Sequence, residues 1–175
     1  VAAAMVKDGT PFRGVLYGGL MKTPDGVKVI EFNCRFGDPE TEVVLPLLKS
    51  DAYDIFEAVA AGVKPAGAPE WENAVTLGVV LASKGYPGSY QKGALIEGVG
   101  DVSAHVYHMG TKVQDGKLYT NGGRVLMVVS RGSDVRDARD KVYAELSRIS
   151  CDNLFYRNDI AHIALENSKM AQIID

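Results

Sequence analysis

Cysteine is nearly absent from this chain: Cys34 and Cys151 are the only two in 175 residues. They stand far apart and without metal-ligand spacing, which argues against a disulfide framework and a zinc site. The expectation is two buried thiols in a reducing cytosol, hence a cytoplasmic protein. No apolar run approaches the roughly 20 residues of a membrane-spanning helix, and no signal-peptide pattern opens the chain, so a membrane location is not expected. Positive charge is not in excess either. Lys and Arg total 19 against 22 Asp and Glu, and the pI near 5.6 gives no electrostatic reason to expect nucleic acid. Only three histidines occur. His105 and His108, three apart, face opposite sides of a strand, which speaks against a shared metal site. Internal repeats and low-complexity tracts are also missing. What remains, 46% hydrophobic and 23% charged residues, is ordinary for a globular chain with room for one medium domain or two small ones.

The chain opens on Val1, in what reads as the end of a helix stopped by Asp8-Gly9 and Pro11. The expectation is a piece of something longer. Residues 12–22 read as a strand, Thr23-Pro-Asp-Gly26 as a turn, and residues 27–36 as a returning strand, together an antiparallel hairpin. Asp38 reads as a helix N-cap with Pro39 at the first helical position. A second helix starts at Ser50 or Asp51, turns Ile55, Phe56, Val59 and Ala60 inward and stops at Gly62. Lys64-Pro-Ala-Gly-Ala-Pro-Glu70 reads as a linker. The domain division is therefore expected at 1–63, 64–73 and 74–175. Residues 74–83 form an apolar run suited to a buried central strand. Shorter strands follow at 103–109 and 118–120, with the turn Gln114-Asp-Gly116 between them. Asn121-Gly-Gly123 leads into another apolar strand at 124–131. Ser133 reads as the cap of a helix with the stripe Val135, Ala138, Val142, Leu146 and Ile149. Residues 155–160 form a loop or short strand, and the tail from His162 is helical at first. The fold class is α+β.

Polar chemistry gathers in Val29-Ile-Glu-Phe-Asn-Cys-Arg-Phe-Gly-Asp-Pro-Glu40. Alternation on a strand sends Glu31 and Asn33 to one face, with Phe32 and Cys34 to the other. A carboxylate beside an amide carbonyl is a hard oxygen pair suited to Mg²⁺ on nucleotide phosphates. It is equally what a solvated strand face looks like. Arg35 adds a planar fork for phosphate or carboxylate. Gly18 and Gly19, on the facing strand, allow close approach of a ligand or mark a bulge.

Taken with Gly14-Val-Leu-Tyr-Gly-Gly-Leu-Met21 before it and Val43-Val-Leu-Pro-Leu-Leu-Lys-Ser-Asp51 after it, this string resembles the glycinamide ribonucleotide synthetases. These are the phosphoribosylamine–glycine ligases of purine biosynthesis, members of the ATP-grasp group. The resemblance continues through Ala82-Ser-Lys-Gly-Tyr-Pro-Gly88, Gly110-Thr-Lys112, Asp115-Gly-Lys117, Thr120-Asn-Gly-Gly-Arg-Val125 and Phe155-Tyr-Arg-Asn-Asp159. It departs at Asn158 and Ala161, where the family often reads Lys and Gly, and the last dozen residues match nothing.

The resemblance implies the end of an ATP-grasp catalytic domain, an antiparallel sheet with helices, followed by a small mixed β-sheet domain with a packed helix. It implies ATP-dependent joining of glycine to phosphoribosylamine through a glycyl phosphate. Glu31 and Asn33 would hold Mg²⁺ or Mn²⁺ on the phosphates. Arg35 would serve catalysis by holding the transferred phosphoryl group, the acyl phosphate or the substrate's phosphate. Asp38 and Glu40 would orient the amine, Asp38 being equally readable as a cap alone. Lys84 and Arg124 would close over a phosphate-bearing substrate. Many ATP-grasp enzymes set a second metal-binding carboxylate on the neighbouring strand; Gly18-Gly-Leu-Met21 offers none. The glycine-rich loop that covers the phosphates and the family's amino-terminal domain are not in the sequence. The implied partners are therefore ATP, glycine, phosphoribosylamine and the missing amino-terminal part of the same enzyme, and the fragment alone is expected to be inactive. The competing readings are another ATP-grasp ligase or carboxylase, and a non-catalytic binding module with this fold.

Overall fold

The computed structural model describes residues 1–166; the expected tail beyond them lies outside the described residues. In chain order the elements are helix α1 (Ala2–Lys7), strands β1 (Tyr17–Thr23) and β2 (Gly26–Asn33), helix α2 (Thr41–Val44), a 3₁₀ turn (Leu45–Leu47) and helix α3 (Ala52–Ala61). Strands β3 (Val75–Ser83), β4 (Leu95–Ile96), β5 (His105–His108), β6 (Thr111–Gln114), β7 (Lys117–Thr120) and β8 (Arg124–Gly132) follow, then helix α4 (Val135–Leu146) and strand β9 (Leu154–Phe155). Antiparallel sheets with few helices make an α+β architecture, as the sequence implies. Among the described residues no helix is long and apolar enough to cross a membrane.

The chain divides into two compact units, one of residues 1–41 with 48–72 and one of residues 42–47 with 73–175. In the first, β1 and β2 form a two-stranded antiparallel ribbon. The expected first strand begins late, because residues 12–16 make no ladder and pairing starts at Tyr17. The returning strand ends at Asn33 rather than at Phe36. Helix α3 is capped by Asp51, whose carboxylate accepts from the Tyr53 amide at 2.7 Å, and ends on Gly62 at φ 72°, a left-handed conformation that costs glycine least. Its apolar face is only half covered, since Ile55 and Val59 are half-buried while Phe56 is exposed.

Two readings around the ribbon need correction. Cys34 is not a buried thiol: it is exposed, Cys151 is half-buried, and neither is in a disulfide. The physical reason is that no buried apolar residue of the described chain lies in the first unit, so neither face of the ribbon is a core face. Asp38 is not a helix N-cap. Helix α2 starts at Thr41, where the amide and hydroxyl both donate to the Gly37 carbonyl, and residues 38–40 form a turn before it.

The second unit holds the core. Its main sheet has the order β5-β8-β3-β9, with β3 and β8 in the middle. Both are near-continuous apolar runs, as strands covered on both faces must be. Helix α4 packs on β8 and β3 through Ala138, Val142 and Leu146, all at most 1% exposed. The cap of α4 is Asp134, not Ser133. Asp134 has the extended backbone of a cap and accepts from the Asp137 amide at 2.8 Å, while Ser133 donates its own amide to Asp137. The Lys141 ammonium and then the Ser133 amide hold the Asp137 carboxyl below the ordinary aspartate value.

A second sheet, β4-β7-β6, turns through Asp115 and Gly116, at φ 51° and 73°, the positive-φ pair of a tight hairpin. Strands β4 and β6 escape sequence reading. The first has two residues, and Thr-Lys-Val-Gln is an exposed edge without apolar alternation.

Two local tensions give predictions. Glu42 keeps one carboxylate oxygen buried without a hydrogen-bond partner among the described residues. Burial, then the Glu42 charge, pushes the Tyr107 phenol above its ordinary value. Glu42→Gln, which removes the charge and brings a donor, is expected to stabilise the chain by about 1 kcal/mol; denaturant melts would show a raised midpoint. Ala161 sits at φ 65°, a region that costs an L-residue about 1–2 kcal/mol. Ala161→Gly is expected to recover up to about 1 kcal/mol, net of the glycine's own unfolded-state entropy, read in the same melts.

Candidate functional site

The ribbon presents the polar strand face. Pairing sets Tyr17 opposite Asn33 and Gly19 opposite Glu31, with a register shift between Gly19 and Leu20. Directly paired residues share a face, so Tyr17, Glu31 and Asn33 project together. The Asn33 amide nitrogen donates to Glu31 Oε1 at 2.9 Å. The facing strand contributes almost nothing above them: a Cβ built on Gly19 would lie 3.2 Å from Glu31 Cγ. Of the bulge and the ligand approach that the sequence offered at these glycines, the bulge is present, at the step from Gly19 to Leu20.

This pair has the chemistry of a hard-cation site but supplies only part of one. Glu31 is exposed and offers a second oxygen, while Asn33 turns its nitrogen to the carboxylate. Rotating the amide by half a turn would set two oxygens side by side, the donor type that Mg²⁺ and Mn²⁺ favour. The remaining ligands would come from phosphate oxygens and water, as is usual for Mg²⁺. Among the described residues no group of three or more His, Cys, Asp or Glu is arranged to hold a metal.

Beyond the strand, Arg35 is exposed and donates one N–H to the Phe36 carbonyl at 2.8 Å. The bond folds the guanidinium back along its own backbone. Asp38 is exposed in the turn, and Glu40 is half-buried beside it. Glu40 accepts from the Tyr17 hydroxyl at 3.0 Å, a link across 23 residues that connects the turn to the ribbon face. The Glu40 hydrogen bond raises the Tyr17 phenol above its ordinary value, with smaller contributions from burial and from the charges of Glu40 and Glu31. Glu31, Asn33, Tyr17 and Glu40 are thus one neighbourhood. Tyr17 was not among the residues singled out from the sequence.

Lys84 and Arg124 belong to the second unit, where they reach the same end of the main sheet. Strand β3 runs antiparallel to β8, with Ala82 opposite Arg124. Ser83 fixes that end by donating its amide to Gly123 and its hydroxyl to Gly122, both at 2.8 Å. The Lys84 amide donates to the Asn153 carbonyl at 2.8 Å, while its side chain is exposed and Arg124 is half-buried. Tyr86 lies over Gly123 so closely that a Cβ there would be 2.4 Å from its ring. Only glycine fits beneath that ring. Further along, Arg157 forks the Asp159 carboxylate at 2.8 and 2.7 Å, which holds that carboxyl below its ordinary value. The Arg157 carbonyl accepts from the Tyr143 hydroxyl at 2.6 Å, and the Asn158 carbonyl from Arg139 at 2.8 Å. The loop carrying both departures from the family pattern is therefore tied to α4 by main-chain groups. His108 Nδ1 pairs with the Thr111 hydroxyl at 2.9 Å.

Comparison with known proteins places the chain in a family. Residues 1–41 match the family described as phosphoribosylglycinamide synthetase, ATP-grasp (A) domain, and residues 76–163 match phosphoribosylglycinamide synthetase, C domain. A phosphoribosylamine–glycine ligase of Halalkalibacterium halodurans is 51% identical over 94% of this chain and 38% of its own length. The human trifunctional purine biosynthetic protein adenosine-3 is 44% identical over 92% of this chain and 16% of its own length. The crystal structure of a phosphoribosylamine–glycine ligase from Thermotoga maritima superposes with a TM-score of 0.79 at 34% identity, covering 91% of this chain and 40% of that one. The chain thus spans about two-fifths of the length of the single-function ligases it matches.

Proposed function

The chain belongs to the phosphoribosylglycinamide synthetase family, and from that premise we propose that it is the carboxy-terminal part of a phosphoribosylamine–glycine ligase. In this reading residues 1–63 close the ATP-grasp catalytic domain, 64–73 are a linker, and 74–175 form the carboxy-terminal domain. The reaction joins glycine to 5-phosphoribosylamine in purine biosynthesis, in the cytoplasm, at the expense of ATP. ATP phosphorylates the glycine carboxylate with release of ADP, and the amine then displaces phosphate from the glycyl phosphate. Substrates are small molecules, and the upstream part of the same polypeptide supplies the rest of the nucleotide site.

The physical obstacle is mutual repulsion between the triphosphate and a carboxylate that must meet it in line. Glu31 and Asn33 would hold a divalent cation, Mg²⁺ or Mn²⁺, which supplies neutralisation of the phosphate oxygens when bound. Arg35 lies two residues past Asn33 and would swing its guanidinium from the Phe36 carbonyl onto the transferred phosphoryl group, trading a neutral acceptor for an anionic one. Glu40, with Asp38, would receive the amine's N–H groups and orient its lone pair. Lys84 and Arg124 would bind the phosphate of the ribose substrate. The observation that supports this reading most is the Glu31–Asn33 pair, in contact at 2.9 Å on an exposed strand face shared with Tyr17.

The test is an initial-rate assay of ADP release. A polypeptide extended upstream to the length of the matched ligases should turn over only with glycine and phosphoribosylamine both present. Glycine-independent ATP hydrolysis, or activity with another carboxylate in its place, would assign the chain to a different ATP-grasp reaction.

A further inference from the structure

We propose that Tyr17 is a positioning residue for the amine substrate, acting by holding the Glu40 carboxylate on the face that carries Glu31 and Asn33. The inference rests on the reading above, in which Glu40 orients the amine, and goes beyond it in naming what sets Glu40 in place.

Three observations carry it. First, Tyr17 owes its face to the register shift at Gly19 and Leu20. Extending the register of the hairpin tip, where Lys22 pairs with Val27, would set Tyr17 opposite Phe32 and turn it to the other side. The shift sets it opposite Asn33, and bulges commonly re-aim a side chain next to a functional site. Second, Glu40 is in a turn rather than a helix, so its side chain is not fixed by helical packing. It is held instead by a hydrogen bond to one carboxylate oxygen, with the other packed close to Gly37. Oε1 accepts from Tyr17 at 3.0 Å, and Oε2 lies against Gly37, where a Cβ would come within 2.3 Å of it. Third, the phenol has one proton to donate and gives it to Glu40, although Glu31 is near enough to bear on it. Glu31 is thereby left to Asn33 and the cation, and the two carboxylates keep separate tasks on one face.

The experiment is steady-state kinetics of the complete ligase. Tyr17→Phe keeps the ring and removes only the hydroxyl. Losing one charge-assisted bond should raise KM for phosphoribosylamine about tenfold. KM for ATP and the Mg²⁺ half-saturation should stay within about twofold. Glu40→Gln should raise the same KM, and the double variant should be no worse than the larger single effect, since the two act as one unit. Glu40→Asp, which withdraws the carboxylate from Tyr17 and the amine alike, should raise the same KM, and a thermal melt of Tyr17→Phe beside the wild type separates loss of the bond from loss of folding. An unchanged amine KM in Tyr17→Phe beside a raised one in Glu40→Gln overturns the role of Tyr17 alone. Additive effects, of about a hundredfold, do the same. An unchanged amine KM in Glu40→Gln overturns both this inference and the placing of the amine at Glu40.

Discussion

Glu31→Gln in the complete ligase is expected to slow ADP formation about a hundredfold or more at sub-millimolar Mg²⁺, with partial recovery as Mg²⁺ is raised. The expectation follows from how little the site has to spare. In the proposed site Glu31 and Asn33 would be the two protein ligands, and one of them is a neutral amide. On the proposed reading, removing the only negative charge of the pair would weaken cation binding and leave the triphosphate repulsion unrelieved as the glycine carboxylate approaches. Folding should not change, because Glu31 is exposed and its side chain accepts from Asn33, a bond that Gln can still accept. Rates measured across Mg²⁺ concentrations, beside a thermal melt, separate the two effects. Wild-type turnover at low Mg²⁺ would remove Glu31 from the site.

The second large effect is structural. Leu126 is fully buried in β8, paired with Leu81 on one side and His108 on the other. Leu126→Ala should cost about 3 kcal/mol through lost burial and an unfilled cavity, lowering the melting midpoint of the second unit by about 10 °C. A comparable truncation in the ribbon, Ile30→Ala, should be nearly silent in the same melts, since Ile30 is 63% exposed. The contrast between the two variants locates the core.

That contrast also explains which parts of the fold were legible. Strands β3 and β8 and the stripe of α4 are read from periodicity because burial on a packed sheet dictates it. The ribbon is apolar too, but its apolar residues have no core to face, so the same pattern wrongly suggested a buried Cys34. The pairing of Glu31 with Asn33 needed only alternation along one strand. Tyr17 was out of reach for a different reason. Its face depends on one extra residue in β2 opposite the Gly19–Leu20 step, and no sequence rule separates that bulge from glycines left open for a ligand. Asp38 was misread because Asp-Pro is a common helix entry; here the turn runs on to Thr41, whose amide and hydroxyl both meet the Gly37 carbonyl. Lys84 and Arg124 lie forty positions apart, yet the antiparallel pairing of two recognisable strands brings them to one end of a sheet.

Titration calorimetry with Mg-ATP tests the central claim most directly. The 175-residue chain would be measured beside a polypeptide extended upstream to the length of the matched ligases. If the chain supplies the metal-and-substrate end of a nucleotide site whose other wall is encoded upstream, it should bind Mg-ATP only weakly, with a Kd of about a millimolar or above. The extended polypeptide should bind it in the micromolar range, and Glu31→Gln should weaken that binding. Micromolar binding by the 175-residue chain alone, unaffected by Glu31→Gln, would contradict the account.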